Sequence, residues 1–159
     1  FWLKILPSWL QLRPVAHFSF FVHLLRCGSE LMAKRCALLI DSDVHGPSHW
    51  TPALGAVRSE GQLASACIFI AAGTGYTDDT DWGKRLAQLG INARVVPAEE
   101  ASEELCAEAL RLVAEEGVDT IALAVKDGDF DVLSSNIRRC GEACQPPLRF
   151  SIMEIGLAD

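Results

Sequence analysis

From residue 32 onward, short apolar runs alternate with segments whose apolar residues recur at helical spacing. Runs of Leu, Ile, Val and Ala without polar alternation read as strands buried on both faces, as in a parallel sheet. The first such run, Arg35–Ile40, predicts a strand. HGPSHWTPALGAV then predicts a helix starting near Trp50 or Thr51, with Pro52 in its first turn. A second strand is expected at Ala64–Ala71, followed by the loop GTGYTDDTD and a helix over Asp81–Leu89 closed by Gly90. INARVV is a third strand, stopped by Pro97. Leu105, Ala109, Leu112 and Val113 mark one face of a helix over Ser102–Glu116, which Gly117 ends. That stripe puts Ser102 on the core-facing side, where it also suits a helix N-cap, and turns Glu104, Glu108 and Glu115 towards solvent. A fourth strand at Thr120–Val125, a helix over Val132–Cys140 and a short fifth strand near Leu148–Ile152 complete the pattern. Alternating strands and helices imply right-handed crossovers and a three-layer α/β domain with a parallel central sheet. The order of the strands does not follow from the pattern.

The length of 159 residues suits one domain, and a hydrophobic content of 50% is enough for a sizeable core. The net charge is −7; Lys4, Arg13 and Arg26 against Glu30 make residues 1–31 basic, so residues 32–159 are more acidic still. Bulk charge therefore does not attract nucleic acid, and any such role must be local. Residues 1–31 are rich in Phe, Leu and Trp. Their longest uncharged apolar run, Phe18–Leu25, contains His23 and is too short to span a bilayer, so no membrane partner is expected. Arg13, Pro14 and His17 break a signal-peptide pattern. Residues 1–31 read as an upstream extension outside the fold, with a membrane-surface or partner-binding helix as the alternative, and residues 32–159 as the domain. Cys36, Cys67 and Cys106 fall in apolar segments and read as core residues, while Cys140 and Cys144 have no second pair with which to form a zinc site. No disulfide framework is evident, which fits a reducing cytoplasm.

The chemistry concentrates where two apolar runs end. CALLIDSD closes with Asp41 and Asp43, and TIALAVKDGDF carries Asp127 and Asp129. In open α/β sheets, ligands bind at the carboxyl ends of the strands, at the switch point of the strand order. If the first and fourth strands are neighbours, four carboxylates converge, and like charges that close do not all stay ionised without a cation. A hard divalent ion such as Mg²⁺ is the natural occupant. The alternative is that these aspartates only turn and cap the chain.

LLIDSD, LAVKDGDFDVL and the GEAC that follows a short helix resemble the NYN domain, a family of PIN-like metal-dependent ribonucleases. Trp82 and the segment Glu108-Ala109-Leu110 are also similar, and the resemblance spans Met32–Cys144. It implies a PIN-like, Rossmann-like sheet with strands one and four adjacent at its centre. It also implies an acidic cleft that binds Mg²⁺ or Mn²⁺ and cuts RNA phosphodiester bonds. By motif position, Asp41 and Asp43 match the family's first acidic pair, Asp127 and Asp129 its second, and Phe130 the aromatic packed beneath. The chain departs from the family at Val44 (usually Asn), Lys126 (usually Gly) and Ser102 (usually an acid). On this basis Asp41 and Asp129 are expected to ligate the metal directly. Asp43 and Asp127 would act through water or orient the nucleophile. Ser102 would hydrogen-bond a water on the metal. Lys126 would neutralise a phosphate or replace the metal as a built-in cation. A catalytically degenerate NYN domain that binds RNA or a protein partner through the same cleft is the alternative; a homodimer also fits.

Tyr76 and Trp82 are candidates to stack on RNA bases, although Trp82 equally suits anchoring its helix to the sheet. Arg85, Arg94, Arg138 and Arg139 are the candidate basic contacts; the last two also suit the negative end of a helix dipole. His45 and His49 are four apart, but Gly46 and Pro47 argue against one helix carrying both, and they read as surface residues. Asp78, Asp79 and Asp81 read as solvated or capping. DGDFDVLSSNI lacks the glycine and closing glutamate of a calcium-binding EF-hand loop, and GTGYTDDTDW lacks a phosphate-cradle motif. A phosphotransferase using DSD as its nucleophile motif lacks a partner lysine or Ser/Thr motif.

Overall fold

Cys36–Ile40, the middle of the first strand, are fully buried, so this strand must have neighbours on both edges and cover on both faces. In the computed structural model, which describes residues 33–41, 46–126 and 128–156, it has both. Strand β1 (Arg35–Asp41) pairs in parallel with β2 (Gln62–Ala71) on one edge. Strand β3 (Asn92–Val96) lies beyond β2. On its other edge β1 pairs with β4 (Thr120–Ala124), and β5 (Ser151–Glu154) follows β4. The order is β3-β2-β1-β4-β5, all parallel. From β1 at the centre the sheet builds outwards to β3 and then continues on the opposite side of β1, so the strand order reverses between β1 and β4.

Side chains alternate across the sheet. Cys36, Leu38 and Ile40 meet helix α1 (Pro47–Glu60) through Trp50, Ala53, Leu54 and Val57, and helix α2 (Asp81–Leu89) through Leu86. Ala37 and Leu39 lie in the opposite core with helix α3 (Ala101–Glu116), through Leu105, Ala109 and Leu112, and helix α4 (Asp129–Ala143), through Leu133 and Ile137. The result is a three-layer α/β fold of Rossmann-like, PIN-like architecture. Among the described residues no helix is long and apolar enough to cross a membrane.

Several boundaries differ from the sequence expectation for physical reasons. Helix α1 starts at Pro47, a residue preorganised for a first helical position, and the His49 N–H donates to the Gly46 carbonyl at 3.0 Å. His49 is therefore helical, contrary to expectation; His45 lies outside the described residues. Helix α4 starts at Asp129 rather than Val132. Gly128 adopts φ +93°, and the Asp129 N–H donates to the Lys126 carbonyl at 2.9 Å, a turn that leads into the helix. The fifth strand begins at Ser151, because the Leu148 N–H is still bonded to Gly141 of α4 (3.0 Å) and Thr120 sets Ser151 as its register partner.

Asp119 clamps the opposite, amino end of the sheet. Its carboxylate accepts the Arg35 N–H at 2.8 Å, its own N–H donates to the Arg35 carbonyl at 2.8 Å, and its carbonyl accepts the Ser151 N–H at 2.9 Å. One residue thus ties the starts of β1, β4 and β5.

Candidate active site at the strand ends

The β1–β4 register pairs Ile40 with Ala124, so Asp41 stands where β4 has just ended. Asp41 is half-buried. Alternation from Ala37 and Leu39 puts it on the α3/α4 face. Asp129, the first residue of α4, comes off the end of β4 on that same face and is exposed. Among the described residues no side chain partners its carboxylate. Asp131 joins it in the first turn of α4, where the helix dipole favours negative charge. Phe130 packs against the α3/α4 core beneath. Lys126 is exposed between the end of β4 and Asp129. Asp43 and Asp127 lie outside the described residues. Among those described, no group of three or more metal-ligating side chains is assembled.

Ser102 departs from its expected orientation. It is exposed, one turn before Leu105, the first fully buried residue of α3. A 3-10 turn over Ala98–Glu100 leads into α3, so the cap position falls to Glu100, and Ser102, in the first turn before the buried stripe begins, is left exposed. It remains at the carboxyl end of the sheet, on the face that carries Asp41 and Asp129.

On the other face, the first turns of α1 and α2 bring two tryptophans together. Trp50 is fully buried and Trp82 is 36% exposed; their rings meet edge to face, with centroids 5.5 Å apart and planes at 79°. The partner of Trp82 in this contact is a ring of helix α1. Thr80 caps α2, accepting the Gly83 N–H at 3.2 Å and donating to the Thr77 carbonyl at 2.6 Å. Tyr76 packs half-buried against the same core and donates its hydroxyl to Asp78 at 3.1 Å; burial first, then the Asp78 carboxylate, raise the phenol's pKa. Arg138 and Arg139 lie nine and ten residues beyond Asp129, roughly 13–15 Å along α4; because the helix runs on to Ala143, neither falls in its last turn, contrary to the helix-end placement expected from the sequence. Arg139 donates to Asn136 within that helix at 3.2 Å.

Glu108 is the residue whose surroundings the sequence pattern misjudged. Expected in solvent, it is 5% exposed. Arg111 donates to both its oxygens, from Nε at 3.0 Å and Nη2 at 2.8 Å, and Arg94 adds a bond at 3.0 Å. These bonds, those from Arg111 foremost, outweigh burial and hold the Glu108 carboxyl below the usual carboxylate range. Arg94 also lies over the Phe69 ring, 5.6 Å from its centroid, so this arginine is engaged within the fold, where the sequence suggested a nucleic-acid contact. The group borders a cavity of about 310 Å³ that Cys67 and Ser65 also line. Burial pushes the Cys67 thiol up to about 11, which keeps it protonated at neutral pH. Cys36 and Cys67 are core residues as expected, whereas Cys106 is half-buried. The i,i+3 spacing of Glu108 and Arg111 is visible in sequence; the approach of Arg94 from β3 is not.

No family model, curated protein or solved structure matches the chain.

Proposed function

We propose that the chain is a metal-dependent endoribonuclease that hydrolyses RNA phosphodiester bonds at the acidic end of the β1–β4 pair. The observation that carries this reading is the placement of Asp41 and Asp129. They leave adjacent parallel strands at the point where the strand order reverses, on one face of the sheet. Asp119, at the other end of the same strands, is consumed by backbone hydrogen bonds. Among the described residues Asp129 takes up no such task, and its exposed carboxylate is chemically available.

The donor set fits a hard divalent cation. Carboxylate oxygens suit Mg²⁺ or Mn²⁺, and neither thiol nor imidazole is required. Asp41 and Asp129 would hold the ion, with Asp43 and Asp127 completing the acidic group. A cation held there supplies phosphoryl polarisation and a lowered pKa for the attacking water. Lys126 offers an ammonium to a phosphate oxygen, and the Ser102 hydroxyl, at the same end of the sheet, can hydrogen-bond an approaching water or phosphate. RNA enters as a local contact, because the acidic domain gives no long-range attraction.

Lys126, together with Ser102 where the family has an acid, favours a second reading: a degenerate domain that binds RNA or a protein through the same cleft without cutting. Mn²⁺ titration by calorimetry and cleavage of a single-stranded RNA separate the two, using the full chain and its Asp41→Asn/Asp129→Asn variant. Binding and cleavage that both vanish in the variant support the nuclease. RNA binding without Mn²⁺ uptake or cleavage supports the degenerate domain.

A further inference from the structure

The strand-end acids leave one question open: what holds the substrate on a domain this acidic? Asp78, Asp79 and Asp81 outnumber Lys84 and Arg85 around the start of α2, and Arg85 lies within hydrogen-bonding reach of Gln88, at 3.5 Å. A phosphate cradle is not on offer there; an aromatic surface is. Trp82 stands at the carboxyl end of β2, one strand over from Asp41 and on the opposite face of the sheet.

Three independent devices hold this tryptophan still. The fully buried Trp50 ring braces it edge to face at 5.5 Å. Thr80 caps the helix turn that carries it. Gly83 lets the preceding loop lie against the helix, since a Cβ there would stand 2.5 Å from the Asp78 carbonyl oxygen. Even so, 36% of Trp82 stays open to solvent. A ring that is both exposed and already immobilised loses little side-chain entropy when a flat ligand stacks on it. Every nucleobase has a π-face, and stacking on an aromatic ring is largely indifferent to sequence and charge. A base within a duplex has both faces occupied by its neighbours, so only an unpaired base can use the ring.

We propose that Trp82 is a stacking platform for an unpaired nucleobase of single-stranded RNA, on a nucleotide outside the one bearing the scissile phosphate. The acids lie on the α3/α4 face and Trp82 on the α1/α2 face, so a strand bound at both crosses the rim of the sheet. The inference rests on the strand-end reading above.

The test uses the full chain and two substitutions. Trp82→Phe keeps a π-face. Trp82→Leu keeps an apolar side chain against Trp50 without one, so the helix packing survives. Affinity for a labelled oligouridylate and for an RNA duplex is read by fluorescence anisotropy, with Ca²⁺ as the divalent ion, over a series of salt concentrations. Trp82→Leu is expected to weaken single-strand binding by roughly 5- to 150-fold. Trp82→Phe should lose much less, duplex binding should not change, and the salt dependence should be the same in all three proteins. Equal single-strand affinity in Trp82→Leu and the parent overturns the proposal. So does equal weakening for single strand and duplex, or an absence of oligouridylate binding by the parent. Cleavage by Asp129→Asn is measured in parallel. Loss of cleavage there with an inert Trp82→Leu leaves the nuclease standing and removes the platform; a Trp82-dependent complex that is never cleaved does the reverse.

Discussion

Arg111 grips Glu108 through two parallel bonds, Nε to Oε2 at 3.0 Å and Nη2 to Oε1 at 2.8 Å, while its other donors reach Glu115 at 3.4 Å and Glu116 at 2.9 Å. Paired fork-to-carboxylate bonds are among the stronger polar contacts in proteins. Here they allow a buried carboxylate of α3 to stay charged beside a polar cavity.

That pairing predicts an acid-sensitive fold. The folded-state pKa of Glu108 is depressed, so its contribution is complete above the unfolded glutamate value of about 4.3 and is lost as the pH falls from there through the lower folded-state value. Glu108→Gln should flatten that part of the stability–pH curve, and at neutral pH it should cost about 1–3 kcal/mol, since the two arginines that remain are only partly buried. Urea unfolding of both proteins between pH 3 and 7, a range set about the reference carboxylate values, checks it; parallel curves would count against the ion pair.

Two aspartates on the same strand system should behave in opposite ways. Asp119→Ala leaves the Arg35 N–H without its acceptor and should lower stability by about 1–2 kcal/mol. Asp129→Asn gives up only a favourable place at the start of α4, about 0.3–1 kcal/mol at most, and removes like-charge repulsion at the strand ends. Thermal unfolding should therefore separate them clearly, while Mn²⁺ binding and RNA cleavage are lost in Asp129→Asn alone. Cleavage that survives Asp129→Asn would remove this residue from the site.

Lys126 decides between the two functional readings. A cation a few ångströms from a divalent ion opposes it by roughly 1 kcal/mol or more in partly solvated surroundings. In a nuclease, Lys126→Ala should strengthen Mn²⁺ binding about fivefold and weaken RNA binding. In a degenerate domain, the same substitution should create metal binding where the parent shows none. Calorimetry with Mn²⁺ reads either result directly, and unchanged binding in both proteins would take Lys126 out of the site.

Gly83 offers a steric test of the loop that presents Trp82. Alanine is ordinarily better than glycine inside a helix by about 1 kcal/mol. Here its Cβ would meet backbone atoms of Thr77 and Asp78 at 2.5–2.6 Å. Backbone cannot swing aside as a side-chain tip does, so Gly83→Ala should destabilise by about 1–3 kcal/mol and lower Tm by several degrees. An increase in Tm would mean that the loop yields easily and that Trp82 is not held as described.

Sequence alone was enough to reach the five strands and four α-helices of the described residues and their layer architecture. A run such as Cys36–Ile40 has one physical solution, a strand covered on both faces, and Leu105, Ala109 and Leu112 have one helical stripe to form. The Asp41 end of β1 was legible for the same reason: Asp interrupts an apolar run where burial stops. What the sequence left open were relationships between residues far apart along the chain. The adjacency of β1 and β4, which the structure has, was expected only through the family resemblance, because it depends on which edge of β1 the returning chain takes and no local spacing encodes that. The burial of Glu108 depends on Arg94 arriving from β3 to share its charge. Glu108 borders the apolar stripe, three residues after Leu105 and four before Leu112, and its tertiary partners decide that it is buried rather than solvated. Likewise Trp82 meets Trp50 because two helices begin side by side on one face of the sheet, a consequence of the parallel β1–β2 pairing. Local pattern settles which segments are buried, because burial is a property of each segment's own side chains. Tertiary structure settles which charges and rings meet, because that depends on strand order.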